Sequence, residues 1–184
     1  LFEGPPFQGV PEGWLTGLPG KTLAASRIEL RPMPGKLPRI DEIAERNFNG
    51  NTLVGAGVAG GAGMALGDFQ IDSAGFSRFI LLDGGMTARQ RGRTIPRLGE
   101  IDAYCMMALL TLPVARSAMG RLSVLEGALE EITTQMREVE REDEPVMLDR
   151  LTLLHGRLVS EQSSSQFRFS AARAYSQIVS FRME

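Results

Sequence analysis

Phe76-Ser77-Arg78-Phe79-Ile80-Leu81-Leu82-Asp83-Gly84-Gly85-Met86-Thr87-Ala88-Arg89-Gln90 carries the chain from sheet to helix. Phe76, Phe79, Ile80, Leu81 and Leu82 make residues 76–82 the best strand in the sequence. Asp83-Gly84-Gly85 reads as a turn, because glycine reaches the backbone angles of a tight reversal without steric cost. Thr87 with Gln90 three residues on is a capping box, in which each side chain satisfies a backbone N–H that the helix start leaves free. Strand and turn signals prevail before this junction and helical signals after it, which means an α+β fold.

Working upstream, Ser73-Ala74-Gly75 is a turn, and Thr52–Val58 and Met64–Asp72 read as two strands around Gly60-Gly61. Asn49-Gly50-Asn51 turns the chain after a short helix, Ile40–Phe48, that carries Ile40, Ile43, Ala44 and Phe48 inward. Thr22–Arg31 alternates as a strand, with a shift of face near Ser26, and Pro32, Pro34, Gly35 and Pro38 end it. The connections are too short for crossovers, so a small, mostly antiparallel meander packed by helices is expected. Residues 1–20 are rich in Gly and Pro and read as an irregular lead segment pinned by Phe2, Phe7 and Trp14. Glycine there outnumbers proline and removes the stiffness that a polyproline ligand needs.

Downstream, Pro96 and Pro113 are expected to divide three helices, near 88–95, 97–112 and 114–141. Leu122, Leu125, Leu129, Ile132, Met136 and Val139 recur in steps of three and four, the stripe of a helix packed along another helix. Arg141-Glu142-Asp143-Glu144-Pro145 breaks the pattern, and Asp143 and Pro145 suit the start of a last helix. On it Leu148, Leu151, Leu158, Phe169 and Ala172 follow a seven-residue repeat that His155, Gln162 and Ser165 interrupt. The long antiparallel hairpin 114–184 should therefore be tight near its turn and looser beyond. No Gly or Pro stop follows Gly156 and the chain opens on Leu1 rather than Met, so a piece of something longer is expected. The organisation reads as one truncated domain: residues 1–86 hold the lead segment and sheet with one short helix, and 87–184 the helical region.

The 184 residues are 43% hydrophobic, enough to build a core. A net charge of −2 argues against nucleic acid as a partner, since neutralising phosphates takes a basic excess. Of the basic residues only Lys21 and Lys36 are lysine, a habit of composition rather than a function. One cysteine, Cys105, rules out an intrachain disulfide, and its apolar neighbours Ala103, Tyr104, Met106 and Met107 favour a buried, inert thiol. With one Cys and one His, His155, no structural zinc site is expected, and no metal or other cofactor. No secretory signal opens the chain. The apolar stretch Ala103–Ala115 holds Thr111 and Pro113 and falls short of the roughly 20 residues of a membrane helix, so the fragment itself is expected to be soluble.

Gly55-Ala56-Gly57-Val58-Ala59-Gly60 is a literal G-x-G-x-x-G after Leu53-Val54. A dinucleotide site needs a helix there, with its amino end facing the pyrophosphate. Gly61, Gly63 and Gly67 follow instead, each costing about 1 kcal/mol in a helix. Two Gly-rich strands packed closely under a helix is the better account. Arg89, Arg91, Arg93 and Arg97, with Arg78 upstream, are the densest basic stretch and read as a solvated helix face with local ion pairs rather than a phosphate site. Glu100 and Asp102, two apart on a helix, point to different faces and make a poor acid–base pair, though Tyr104 could bond one of them. His155 reads as a partly buried packing histidine with no nucleophile motif near it, and Ser163-Ser164-Ser165 as polar helix. No catalytic, cofactor-binding or metal-binding residue is assigned, and a non-enzyme is expected.

Asp68-Phe69-Gln70-Ile71-Asp72, Gly75-Phe76-Ser77-Arg78-Phe79, Met86-Thr87-Ala88-Arg89-Gln90 with Gly92-Arg93, and Glu100-Ile101-Asp102-Ala103-Tyr104 resemble an uncharacterised proteobacterial family of predicted membrane-anchored proteins, a domain of unknown function. Met106–Leu110, Leu112-Pro113 and Ala115-Arg116 continue the likeness. Phe167–Tyr175 matches the family's later helix, and Pro11–Leu15 with Leu18-Pro19-Gly20 its earlier part. The resemblance implies a longer protein, with an α/β portion before this chain and a pair of transmembrane segments after the long helices. It places this chain on the cytoplasmic side of the inner membrane and supplies no catalytic residues. The 55–67 stretch is richer in glycine than the family pattern, and Cys105 stands where arginine is common. The reading is a non-enzymatic cytoplasmic domain of a membrane-anchored bacterial protein with a scaffold or interaction role, the hairpin serving as a stalk. A homo-oligomer is compatible with it. The alternative is the soluble or stalk part of an ion-transporter-like protein, with Asp143 or Glu144 facing neighbours or metal. A nucleotide-binding enzyme is the weakest reading.

Overall fold

The structure, a computed structural model, describes residues 13–14, 17–137 and 143–183. Most of the Gly/Pro-rich lead segment (1–12, 15 and 16), Val139 of the apolar stripe, Arg141 and Glu142 of the charged turn, and Glu184 lie outside the described residues. The elements run β1 (Ser26–Pro32), α1 (Ile40–Asn47), β2 (Val54–Val58), β3 (Gly63–Ile71), β4 (Ser77–Asp83), α2 (Ala88–Leu109), α3 (Leu112–Gln135) and α4 (Glu144–Met183), with a single 3-10 turn at Ala59–Gly61. The fold is α+β: a four-stranded mixed sheet followed by helices. The chain forms two compact units, one of Leu1–Met106 with Ile178–Glu184 and one of Met107–Gln177.

The sheet of the first unit has the order β1-β4-β3-β2. β2, β3 and β4 form the expected antiparallel meander, with Ala56 opposite Ala65 and Ala65 opposite Leu81. β1 departs from it and pairs in parallel with β4, Ile28 opposite Phe79 and Leu30 opposite Leu81. The short-connection argument does not reach β1, because all of α1, β2 and β3 separate it from β4, and a parallel pair needs only such a long return. The strand also starts at Ser26, where the alternation shifts face, and not at Thr22.

Side chains alternate across the strands, so the two faces of the sheet build two cores. On one, Leu66, Ile80 and Leu82 pack with Ile43 and Phe48 of α1 and its end. On the other, Ala65, Leu81 and Met86 pack with Ile95 and Leu98 of α2. Fully burying each large apolar side chain contributes about 1.5–3 kcal/mol. α1 closes with Phe48 N–H donating to the Ala44 carbonyl (2.8 Å) and Gly50 N–H to the same carbonyl (3.0 Å). Asn49 and Gly50 reverse the chain with φ of 55° and 76°.

α2 starts at the capping box as the sequence predicts: Thr87 N–H donates to Gln90 Oε1 at 2.8 Å and Gln90 N–H to Thr87 Oγ1 at 3.2 Å. Pro96 does not divide it; the helix is continuous from Ala88 to Leu109. A proline ring meets the carbonyl four residues back, which here belongs to Gly92, and an exposed glycine lets that carbonyl tilt away. The real interruption is the turn at Leu110–Thr111, after which Pro113 sits in the first turn of α3, where its missing N–H is not needed. Taken together, Ala88–Gln135 is long and apolar enough to cross a membrane, by length and composition only. The expectation from Ala103–Ala115 counted only uninterrupted apolar residues and did not join the two helices. Ile95 and Leu98 of the same stretch are packed on the sheet.

The second unit is an antiparallel helical hairpin. Thr111 Oγ1 donates to the Arg168 carbonyl, Arg121 pairs with Glu161 at 2.7 Å, and Arg150 donates to Gln135, so α4 descends as α3 rises. The inward stripe is shifted from the expected one. Ala118 and Ile132 are buried and Leu125 and Ala128 half-buried, whereas Leu122, Leu129 and Met136 are exposed. On α4 Ser165 is buried, while Leu148, Leu158 and Phe169 are exposed. Away from the turn only the small Ala118 and Ser165 are buried, and an open groove runs beside them. Small side chains let two helices approach closely, and the larger ones are displaced outward.

Candidate functional site

The G-x-G-x-x-G stretch is strand, turn and strand. Gly55 and Gly57 lie in β2, Gly60 forms the 3-10 turn with φ 69°, and β3 begins at Gly63. The chain then returns antiparallel, so no helix amino end faces the glycines. Close packing uses Gly55, whose Cβ would stand 2.9 Å from the Leu66 side chain, and the next glycines: a Cβ on Gly63 would stand 2.9 Å from the Leu82 carbonyl oxygen and from Met86 Sδ, and one on Gly67 2.6 Å from the Phe79 ring. The expectation of Gly-rich strands beneath a helix therefore holds, and α2 is that helix. Between this hairpin, α2 and the last turn of α4 lies a cavity of about 350 Å³, with Thr94, Leu98 and Ile101 on the helix side.

A bulge between Gly67 and Ile71 breaks the β3–β4 ladder and holds Phe69 at φ 50°, a left-handed conformation that only glycine adopts without cost. Phe69 there meets Phe79 edge to face, ring centroids 5.4 Å apart. The bulge also places Asp68 beside Arg78. Arg78 Nη2 donates to Asp68 Oδ2 at 2.8 Å, Asn51 Nδ2 donates to the same oxygen at 2.9 Å, and the Gln70 N–H to Oδ1 at 3.2 Å. The guanidinium lies 5.6 Å over the Phe48 ring. Arg78 is thus buried in the sheet and is no part of the basic helix face. The signal that finds this pair is opposite charges on neighbouring, otherwise apolar strands, since a buried charge needs a partner.

The helix arginines separate by role. Arg91 lies 3.1 Å from Asp83 and donates to the Met86 carbonyl, which ties the turn to α2. Asp83 Oδ1 accepts the Gly85 and Met86 N–H groups, and those two bonds, in that order, pull its carboxyl below the ordinary range, with the Arg91 charge adding to them. Arg89 and Arg93 are exposed, as a solvated face requires. Glu100 pairs with Arg182 at 3.0 Å.

Glu100 and Asp102 do diverge. Asp102 is fully buried and accepts from Ser26 Oγ at 2.6 Å, which links α2 to the start of β1. Its Oδ1 has no hydrogen-bond partner among the described residues. Cys105 is half-buried; desolvation first, and the Asp102 charge second, push its thiol upward, away from nucleophilic reactivity. His155 is exposed on α4, not packed, because the hairpin seam runs through Leu151 and Leu154. Ser163 and Ser164 are exposed while Ser165 fills the seam. Asp143 and Glu144 are exposed. Among the described residues no group of three or more His, Cys, Asp or Glu side chains stands where it could hold a metal ion.

Residues 1–184 match the family described as "Protein of unknown function (DUF3422)". The chain belongs to this family. No curated protein and no solved structure matches it. The family description assigns no activity, so what this member can do rests on its own surfaces. Exposed apolar side chains stand on the hairpin, where Met119, Val124 and Phe167 are 70%, 71% and 79% exposed. A groove lined by Ala118, Leu122, Ser165 and Phe169 runs along the same hairpin.

Proposed function

We propose that this family member is a non-enzymatic interaction domain of a membrane-anchored protein, and that its hairpin pairs with the hairpin of a second copy. The observation that carries this reading is the outward apolar set Met119, Val124, Leu153 and Phe167, spread over both helices of one unit. Two helices can bury only the faces they turn to each other, and these side chains stand outside the α3–α4 seam. A second hairpin would complete a four-helix bundle, the common way of covering two outer faces at once. Membrane anchoring and a cytoplasmic location are supported by the sequence resemblance alone.

The test is the mass of the full-length protein in mild detergent by light scattering, with Val124→Glu/Phe167→Glu as the interface variant. A dimer that the variant reduces to monomer is expected. A monomeric wild type would overturn the pairing. A larger closed ring that assembles with a divalent cation would favour the transporter-stalk reading instead.

A further inference from the structure

The cavity under the Gly-rich hairpin has a chemistry that packing does not need. Its sheet side is kept open by small side chains: Ala56 and Ala65 are register partners on the face that meets α2, and Gly67 cannot carry a Cβ beside Phe79. About 350 Å³ lies within the range of small-ligand pockets.

Its lining residues include two guanidinium groups. Arg97 is exposed, and its Nε donates to the Arg182 carbonyl. Its two Nη groups meet no carboxylate among the described residues. Arg182 lies 3.0 Å from Glu100, but its Nε is shut off from water and makes no aligned hydrogen bond. Two cations face one carboxylate, so one positive charge is left over beside apolar walls. A guanidinium fork with free N–H groups fits a carboxylate in two parallel bonds.

We infer that this cavity is a binding site for an anionic amphiphile: a carboxylate held by Arg97 and Arg182, with a slim apolar tail lying between Ala56 and Leu98. A free fatty acid and the phosphate of an anionic lipid share this chemistry, since each offers two anionic oxygens on an apolar tail. The site is independent of hairpin pairing, since every residue invoked belongs to the sheet unit.

The test is calorimetric titration of the 184-residue chain with dodecanoate, dodecanol and dodecyltrimethylammonium below their micellar concentrations. Saturable binding of dodecanoate is expected, about tenfold tighter than dodecanol, with none of the cation. Arg97→Gln should weaken dodecanoate about tenfold and leave dodecanol unchanged, and Ala56→Phe should remove both by filling the cavity. Equal affinity for the three head groups, or unchanged dodecanoate binding by Arg97→Gln, would overturn the site. If Ala56→Phe does not fold, the head-group series and Arg97→Gln decide alone. Flotation with phosphatidylglycerol vesicles separates the sources: co-flotation that Arg97→Gln abolishes identifies a lipid phosphate, and binding of dodecanoate without co-flotation a free acid.

Discussion

Arg78 and Asp68 stand side by side on β4 and β3 with 2.8 Å between Nη2 and Oδ2, both side chains almost wholly withdrawn from water. Asn51 and the Gln70 N–H complete the carboxylate, and the Phe48 ring covers the guanidinium. Removing one partner strands the other charge. Arg78→Met should cost about 3–5 kcal/mol in urea unfolding, and Arg78→Met/Asp68→Leu should recover most of that loss. A single-variant cost no larger than that of an exposed ion pair would show the pair to be dispensable.

Two glycines of one hairpin should respond oppositely to the same methyl group. Gly67→Ala drives a Cβ into the Phe79 ring and should destabilise by about 1–3 kcal/mol. Gly57→Ala meets nothing within 4 Å and should change stability by no more than about 0.5 kcal/mol. Thermal unfolding of the two variants side by side checks the contrast.

Asp83 predicts a pH dependence with a definite sign. Its folded-state carboxyl is held below the ordinary value by the Gly85 and Met86 N–H groups. Its contribution is therefore complete above the unfolded value, about 3.9, and is lost as the pH falls through the folded one. The stability difference between wild type and Asp83→Asn should be constant from pH 7 to 5 and shrink below pH 4. Paired denaturant curves across that range measure it.

Cys105 should alkylate slowly. Burial and the Asp102 charge both disfavour its thiolate, so iodoacetamide at pH 8 should modify it more slowly than it does an unstructured cysteine peptide. Asp102→Asn removes one of the two causes and should speed the reaction while the fold is retained by circular dichroism. Equal rates in the two proteins would assign the whole shift to burial.

Much of the secondary structure was legible because it is written locally. The capping box at Thr87–Gln90, the turn at Asp83–Gly85, the helix Ile40–Asn47 and the meander from β2 to β4 each depend on residues a few positions apart. Pro96 misled because the cost of a proline inside a helix depends on the residue four back, and glycine there lowers it. Of the site, the packing role of the glycines was readable from their number. The Asp68–Arg78 pair was legible only as opposite charges on adjacent strands, since the bulge between Gly67 and Ile71 decides which residues of β3 and β4 meet.

What the residues determined by themselves is the order of elements, the α+β class and the rejection of a dinucleotide loop. All of these follow from backbone preference and short-range hydrogen bonding. Tertiary structure alone decided that β1 lies parallel to β4, that Asp102 is sealed under Ser26, and that the hairpin seam runs through Ala118, Ile132 and Ser165. The seam shows the physical reason. Periodicity states that a helix has an apolar face, but a chain with apolar residues on more than one side leaves the choice to packing. Packing of α3 on α4 put Ile132 with the small Ala118 and Ser165 inside and left Val124 and Phe167 outward.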